Sequence, residues 1–257
     1  MPRRARKKSG TGIYHIMLRG INRQDIFLDR EDYRSFLFTL ARVKKETGCQ
    51  VFGYCLMSNH IHLLLKEWQE PLQIIMKRIG ASYVYWYNRK YARTGHLFQD
   101  RFKSEPVEND DYLLVVLRYI HNNPVEAGMV ETVSDYQWSS YNDYLGASLS
   151  SDLTDTAFTL AIFDADLTRA RELFRGFSTK SNQDRCLEHN ENHRKYLSDQ
   201  EIISIIKKHT SLDDPTTIRN ADKKVRDGLI SSLKQDGASI RQLERLTGIS
   251  RNIIERT

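Results

Sequence analysis

The run CQVFGYCLMSNHIHLLLKE, residues 49–67, constrains the fold more than any other stretch. Two segments with strand character, 49–57 and 60–67, are parted only by Ser58-Asn59, and a polar connection that short joins neighbouring antiparallel strands. On either side the apolar spacing turns helical. In REDYRSFLFTLARVKKE, Tyr33, Phe36, Leu37, Leu40 and Val43 recur at helix intervals and Gly48 ends the run. A second helix is expected from Pro71 to about Arg93. GIYHIMLRG, residues 12–20, alternates between bounding glycines and reads as a strand, and GHLFQDRFKSEPV, residues 95–107, reads as a further extended segment. Asn109 then caps a helix whose stripe is Leu113, Val116, Leu117 and Ile120. The order β-α-β-β-α-β-α predicts an α+β, ferredoxin-like (RRM-like) antiparallel sheet with helices on one face. That architecture names no function by itself.

Beyond Gly146 the texture loosens, and three segments are expected. Residues 1–146 form a mixed domain, 147–197 a helical connecting region, and 198–257 a helical domain. The last segment ends in GASIRQLERLTGISRNIIERT. There Ile240, Leu243 and Leu246 mark one helix, Thr247-Gly248 a tight turn, and Ser250 the cap of a second helix that opens on Arg251 and Asn252. This is the layout of a helix-turn-helix, which offers its second helix to base edges; a helical hairpin in a small bundle is the alternative. Thr257 falls one to two turns into that second helix, so the module is incomplete if the natural chain continues.

Composition bounds the rest. No apolar run approaches the ~20 residues of a membrane span, and MPRRARKKSG lacks a signal-peptide core, so a cytoplasmic location is the default expectation. Cys49, Cys55 and Cys186 lack metal-type spacing and read as reduced structural thiols. The net charge is +6, with +5 of it before residue 147. Five of the first eight residues are basic, an arm that either attracts phosphate or solubilises the chain.

Two histidines stand out. In a strand, His60 and His62 point to one side and Ile61 to the other, which delivers two imidazoles side by side at a spacing one divalent cation can bridge. A lone histidine there reads as a satisfied structural residue; two in register point to metal. A catalytic cation needs a third protein ligand, and RYIHNNPVEAG supplies a candidate. Tyr119 and Asn123 lie four apart on one helical face, so the Asn123 carboxamide could complete the set with Tyr119 beside it. On spacing alone Tyr119 is equally a packing residue. Pro124 is expected to end or bend the helix.

These residues resemble the HUH single-tyrosine transposases, and within them the REP-associated branch. His60-Ile61-His62 matches the histidine-hydrophobic-histidine strand, and YHIMLRGINRQDIF, YCLMSNHIHLLL, GHLFQDRFKS and YIHNNPVEAGMV follow in the family's order over residues 10–146. The resemblance implies Tyr119, His60 and His62 as catalytic residues and His60, His62 and Asn123 as ligands of Mg²⁺ or Mn²⁺. It implies cleavage of single-stranded or hairpin DNA through a 5′-phosphotyrosine. Contacts to DNA are then expected from Arg19, Arg23, Arg101 and Lys103, from Arg3 and Arg4 in the basic arm, and, on duplex DNA, from Arg251 and Asn252. Tyr83, Trp86 and Tyr87 have helical spacing and read as core, not as stacking platforms. The expected assembly is a monomer or homodimer without membrane attachment. Two other classes stay open: a non-catalytic DNA-binding regulator on the same fold, and a metal-dependent hydrolase or phosphotransferase of small substrates.

Overall fold

The computed structural model describes residues 6–147, 152–180, 186–187, 197, 199–210 and 215–257. These form two compact units. The first takes in the described residues up to 187 apart from Gly20–Asp25, and the second comprises Gly20–Asp25 and the described residues from 197 on.

The first unit is built on four strands, β1 (Ile13–Arg19), β2 (Gln50–Leu56), β3 (His60–Lys66) and β4 (Lys103–Val107), in the antiparallel order β2-β3-β1-β4. Between them run α1 (Arg30–Thr47) and α2 (Leu72–Lys90), and α3 (Asp110–Glu126) follows. Local chemistry sets several limits. Asp29 accepts from the Glu31 and Asp32 amides in a capping box at the start of α1, and Gly48 closes that helix in the left-handed conformation at φ +67°. Asn109 accepts from the Tyr112 amide at 2.8 Å, as its N-cap position predicts. Of residues 95–107, the strand occupies Lys103–Val107.

The sheet corrects one expectation, because helices cover both of its faces. Ile61, Leu63 and Leu65 of β3 join Leu40 of α1 and Ile75, Ile79 and Tyr83 of α2 in one core. Leu64 faces the other way, with Phe52, Cys55 and Val107, into a second core made with Leu113, Val116, Leu117 and Ile120 of α3. Two histidines in β3 make that second face look polar in the sequence, although the rest of it is apolar and must also leave water. Gly53 permits the approach of α3, since a Cβ there would meet Leu117 Cδ1 at 2.5 Å. Tyr83 and Tyr87 are buried and Trp86 packs against them, as their spacing predicts.

After α4 (Tyr141–Tyr144), α5 (Thr156–Phe163) and α6 (Leu167–Ser178) contribute Leu160, Ala170 and Phe174 to the α3 core. This part of the 147–197 segment therefore packs within the first unit. Residues 138–140 and 155 also close the outer edge of β2, through Ser140 N–H to Tyr54 O at 3.0 Å and Asp155 N–H to Val51 O at 2.7 Å. Cys49, Cys55 and Cys186 are buried and form no disulfide.

The second unit contains α7 (Asp199–Thr210), α8 (Lys223–Gln235), α9 (Ile240–Thr247) and α10 (Arg251–Arg256) around Ile206, Ile230, Leu233, Leu243 and Ile254. Gly248 ends α9 at φ +67°. Ser250 occupies the N-cap position of α10 but makes no capping bond with its side chain; the Arg251 amide instead donates to Glu244 Oε1 at 3.1 Å. No helix among the described residues is long and apolar enough to cross a membrane.

Candidate functional site

The histidines stand at the start of β3, where the ladder fixes their neighbours. His60 lies opposite Arg19, His62 opposite Met17, and Met17 in turn opposite Lys103. Residues directly opposed across antiparallel strands share a face, so Arg19, Lys103, His60 and His62 share one. The imidazole centroids of His60 and His62 are 5.1 Å apart. His62 is buried, and the Asn59 Oδ1 lies 2.7 Å from His60 Nδ1. A carbonyl oxygen accepts and does not donate, so His60 donates from Nδ1, and Nε2 is its other ring nitrogen.

Helix α3 crosses this face and brings Tyr119 with it. The Tyr119 ring meets His62 edge-on, centroids 5.7 Å apart and planes at 85°. Tyr119 is 9% exposed as a residue and belongs to the buried side of α3. Val116 and Ile120 beside it are fully buried and anchor that turn of the helix. One turn further on, Asn123 donates from Nδ2 to the Tyr119 carbonyl at 3.0 Å, which leaves Oδ1 as the amide's acceptor end. Pro124 does not end the helix, which continues to Glu126 with the Ala127 amide bonded to Asn123 O at 2.9 Å. Proline's missing N–H is tolerated so close to the helix end because few further helical bonds depend on it.

Among the described residues no three His, Cys, Asp or Glu side chains are grouped so as to hold a metal ion. Two imidazoles with a carboxamide oxygen would be a donor set of another kind, and N and O donors of this sort suit a borderline or hard divalent cation. His121, two residues from Tyr119, is turned away from this face. It is fully buried against Tyr141, Tyr144 and Phe174, its Nε2 lies 2.8 Å from Ser140 Oγ, and burial lowers its pKa from 6.5 to about 3. It is a neutral core residue.

One member of the constellation was not singled out from the sequence. His15 on β1 places its Nε2 3.0 Å from His62 Nδ1, with its ring 5.2 Å from that of His62 and 5.9 Å from that of Tyr119. It is fully buried, and burial together with the nearby His62 holds it well below the usual histidine range. Its signal was its place in YHIMLRG, in step with Met17 and Arg19, but alternation within β1 cannot say which strand lies alongside.

The remaining expected DNA contacts disperse. Arg101 lies on the α2 side of the sheet, where it lines a cavity of about 490 Å³ with Arg6, Lys77, Leu18, Phe98 and Phe102; it is not on the histidine face. Arg6 stacks its guanidinium 3.7 Å from the Phe102 ring centroid. Arg23 ends a 3-10 turn, Ile21–Arg23, at φ +60°. Arg251 and Asn252 are exposed on the first turn of α10. Arg3 and Arg4 lie outside the described residues.

Residues 9–123, which include the four-stranded sheet and most of α3, match the family described as Transposase IS200 like. The matched segment contains His60, His62, Tyr119 and Asn123. Its particular relatives are REP-associated tyrosine transposases. That of Escherichia coli K12 is 24% identical over 155 residues, 58% of this chain and 89% of that protein. A candidate REP-associated tyrosine transposase of Haemophilus influenzae is 29% identical over 104 residues, 36% of this chain and 59% of that protein. The match thus spans well under two thirds of the Haemophilus relative. Among solved structures, a REP-associated tyrosine transposase bound to a REP hairpin shares the fold, with TM-score 0.50 and 19% identity over 61% of this chain and 96% of that one.

Proposed function

We propose that this chain is a metal-dependent single-stranded DNA endonuclease and strand transferase of the HUH type, acting at sequences that flank a hairpin. The observation that carries the reading is Tyr119 held edge-on at 5.7 Å from His62, beside His60 on one strand face. On this reading the β2-β3-β1-β4 sheet is a ferredoxin-like platform, and α3 is the element that lends it a nucleophile.

In the reaction the Tyr119 Oη bonds to the phosphorus of one phosphodiester while the bond to the 3′ oxygen breaks. The 3′ oxygen leaves as a hydroxyl, the phenol gives up its proton, and the 5′ side stays on the protein as phosphotyrosine. One phosphate ester replaces another, so a second 3′-hydroxyl can run the step backwards and join strands without ATP. Mg²⁺ or Mn²⁺ held by His60, His62 and Asn123 supplies, when bound, polarisation of the phosphate. Arg19 and Lys103 put positive charge on the same face, where it holds the strand and offsets the charge that builds on phosphate. The hairpin bound to the solved relative supports a hairpin substrate here. The arm with Arg3 and Arg4 adds affinity, and α9 with α10 reads duplex DNA as a helix-turn-helix through Arg251 and Asn252.

The test is Tyr119→Phe, incubated with hairpin-bearing single-stranded DNA and Mg²⁺ or Mn²⁺, and resolved on a denaturing gel. The variant is expected to fold, with a stability change of about 0.5–1.5 kcal/mol, to bind the hairpin, and to give no covalent adduct. Tyr83→Phe, a change in the opposite core, keeps the adduct. Cleavage by the Phe variant with an adduct means another nucleophile; cleavage without one means activated water. A wild-type protein that binds the hairpin and never cleaves it is a DNA-binding regulator.

A further inference from the structure

We propose that Glu105 and His15 form a relay behind His62 that sets which nitrogen of that ring faces the reaction, so that His15 is a positioning residue; this rests on His62 being a metal ligand. His15 Nε2 and His62 Nδ1 lie 3.0 Å apart. One proton occupies that gap, so one ring donates and the other accepts. In either case Nδ1 of His62 is engaged and Nε2 is the nitrogen turned to the site. For Nε2 to be a ligand it must carry a lone pair, and then His62 must donate from Nδ1 and His15 must accept. His15 in turn carries its own proton on Nδ1.

That Nδ1 is buried and makes no hydrogen bond, which folded proteins rarely tolerate in an N–H donor. Across the ladder, Glu105 of β4 stands directly opposite His15, and its Oε2 is also buried without a hydrogen bond. Opposed residues of this kind hold their Cβ atoms about 4.5–5.5 Å apart. A donor lacking an acceptor and an acceptor lacking a donor therefore share one face and one rung, within reach of a side-chain rotation. The opposite tautomer would set the carboxylate against a bare lone pair. Glu105 thus selects the proton on His15 Nδ1, His15 Nε2 accepts from His62, and the lone pair of His62 appears on Nε2. His60 reaches the same end by a separate route, through Nδ1 on Asn59 Oδ1, so both rings present Nε2.

The experiment uses full-length protein labelled with ¹⁵N-histidine, in which long-range ¹H–¹⁵N spectra report each ring's tautomer before any metal is added, followed by Mn²⁺ titration read by electron paramagnetic resonance. His15→Phe keeps a ring but removes the acceptor; His15→Gln restores a carbonyl acceptor; Glu105→Leu removes the far end. His62 is expected as the Nδ1–H form in the wild type and in His15→Gln. In His15→Phe that preference is lost and Mn²⁺ affinity falls by roughly 10–100-fold, with Glu105→Leu between them. If His15→Phe does not fold, the Glu105→Leu spectrum decides the same point. A wild-type His62 protonated on Nε2, or variants with unchanged tautomer and Mn²⁺ affinity, overturns the relay. A wild type that shows the tautomer and its loss in the variants, yet binds no Mn²⁺, keeps the relay and overturns the metal reading.

Discussion

Acid should loosen the helix that carries Tyr119, and His121 sets how much. This imidazole sits in α3, fully buried, and joins the helix to β2 through Ser140, whose Oγ also accepts the Tyr54 amide at 2.9 Å. Its folded pKa is lowered by burial from 6.5 to about 3, so the unfolded chain binds the proton more readily than the folded one. Stability from this group is therefore fully present above pH 6.5 and is lost as pH falls from 6.5 toward 3. Between pH 7.5 and 5.0 the loss works out at about 2 kcal/mol, from 1.36 kcal/mol for each pH unit traversed below the unfolded pKa. His121→Gln removes the titration and keeps a polar group for Ser140. Trp68, Trp86 and Trp138, the three tryptophans of the chain, all fall in the first unit, so urea unfolding followed by tryptophan fluorescence reports on that unit. The variant should be less stable than the wild type at pH 7.5 and should lose about 2 kcal/mol less than the wild type on going to pH 5.0. Equal losses in the two proteins would show that His121 is not the group responsible.

Three further outcomes follow from the same geometry. His60→Ala and His62→Ala should each abolish adduct formation while leaving hairpin affinity, measured by gel shift, within several-fold of wild type; equal loss of binding and of thermal stability in both would make the pair structural. If Arg19 and Lys103 contact phosphates, log affinity for single-stranded DNA falls with log salt and each neutralising substitution lowers the slope by roughly 0.7; a salt-independent affinity excludes those contacts. Gly53→Ala drives a methyl against Leu117 Cδ1 and should cost about 1–3 kcal/mol in denaturant melts. Combining it with Leu117→Ala should recover part of that cost, and strict additivity of the two would mean that α3 does not rest on Gly53.

Sequence alone determined the local geometry of this protein. Period two in HIHLLLK places His60 and His62 on one side of a strand, a four-residue interval stacks Tyr119 and Asn123 on one helix face, and Asn109 starts α3 where the capping rule says it should. Such features are legible because they depend on backbone periods and on bonds between residues a few positions apart. Tertiary structure decided what those elements meet. That α3 covers the face opposite α1 and α2, that His15 comes alongside His62, and that Arg101 falls on the other side of the sheet from Lys103, two residues away, all depend on strand order and on which apolar surface packs against which. Two histidines of β3, His62 buried and His60 half-buried, made an apolar face look polar, and no local pattern can distinguish a histidine that faces solvent from one that a distant helix will cover. The reason is physical: burial of both sheet faces is favoured by the whole set of long-range contacts together, and that sum is not written in any one stretch of the chain.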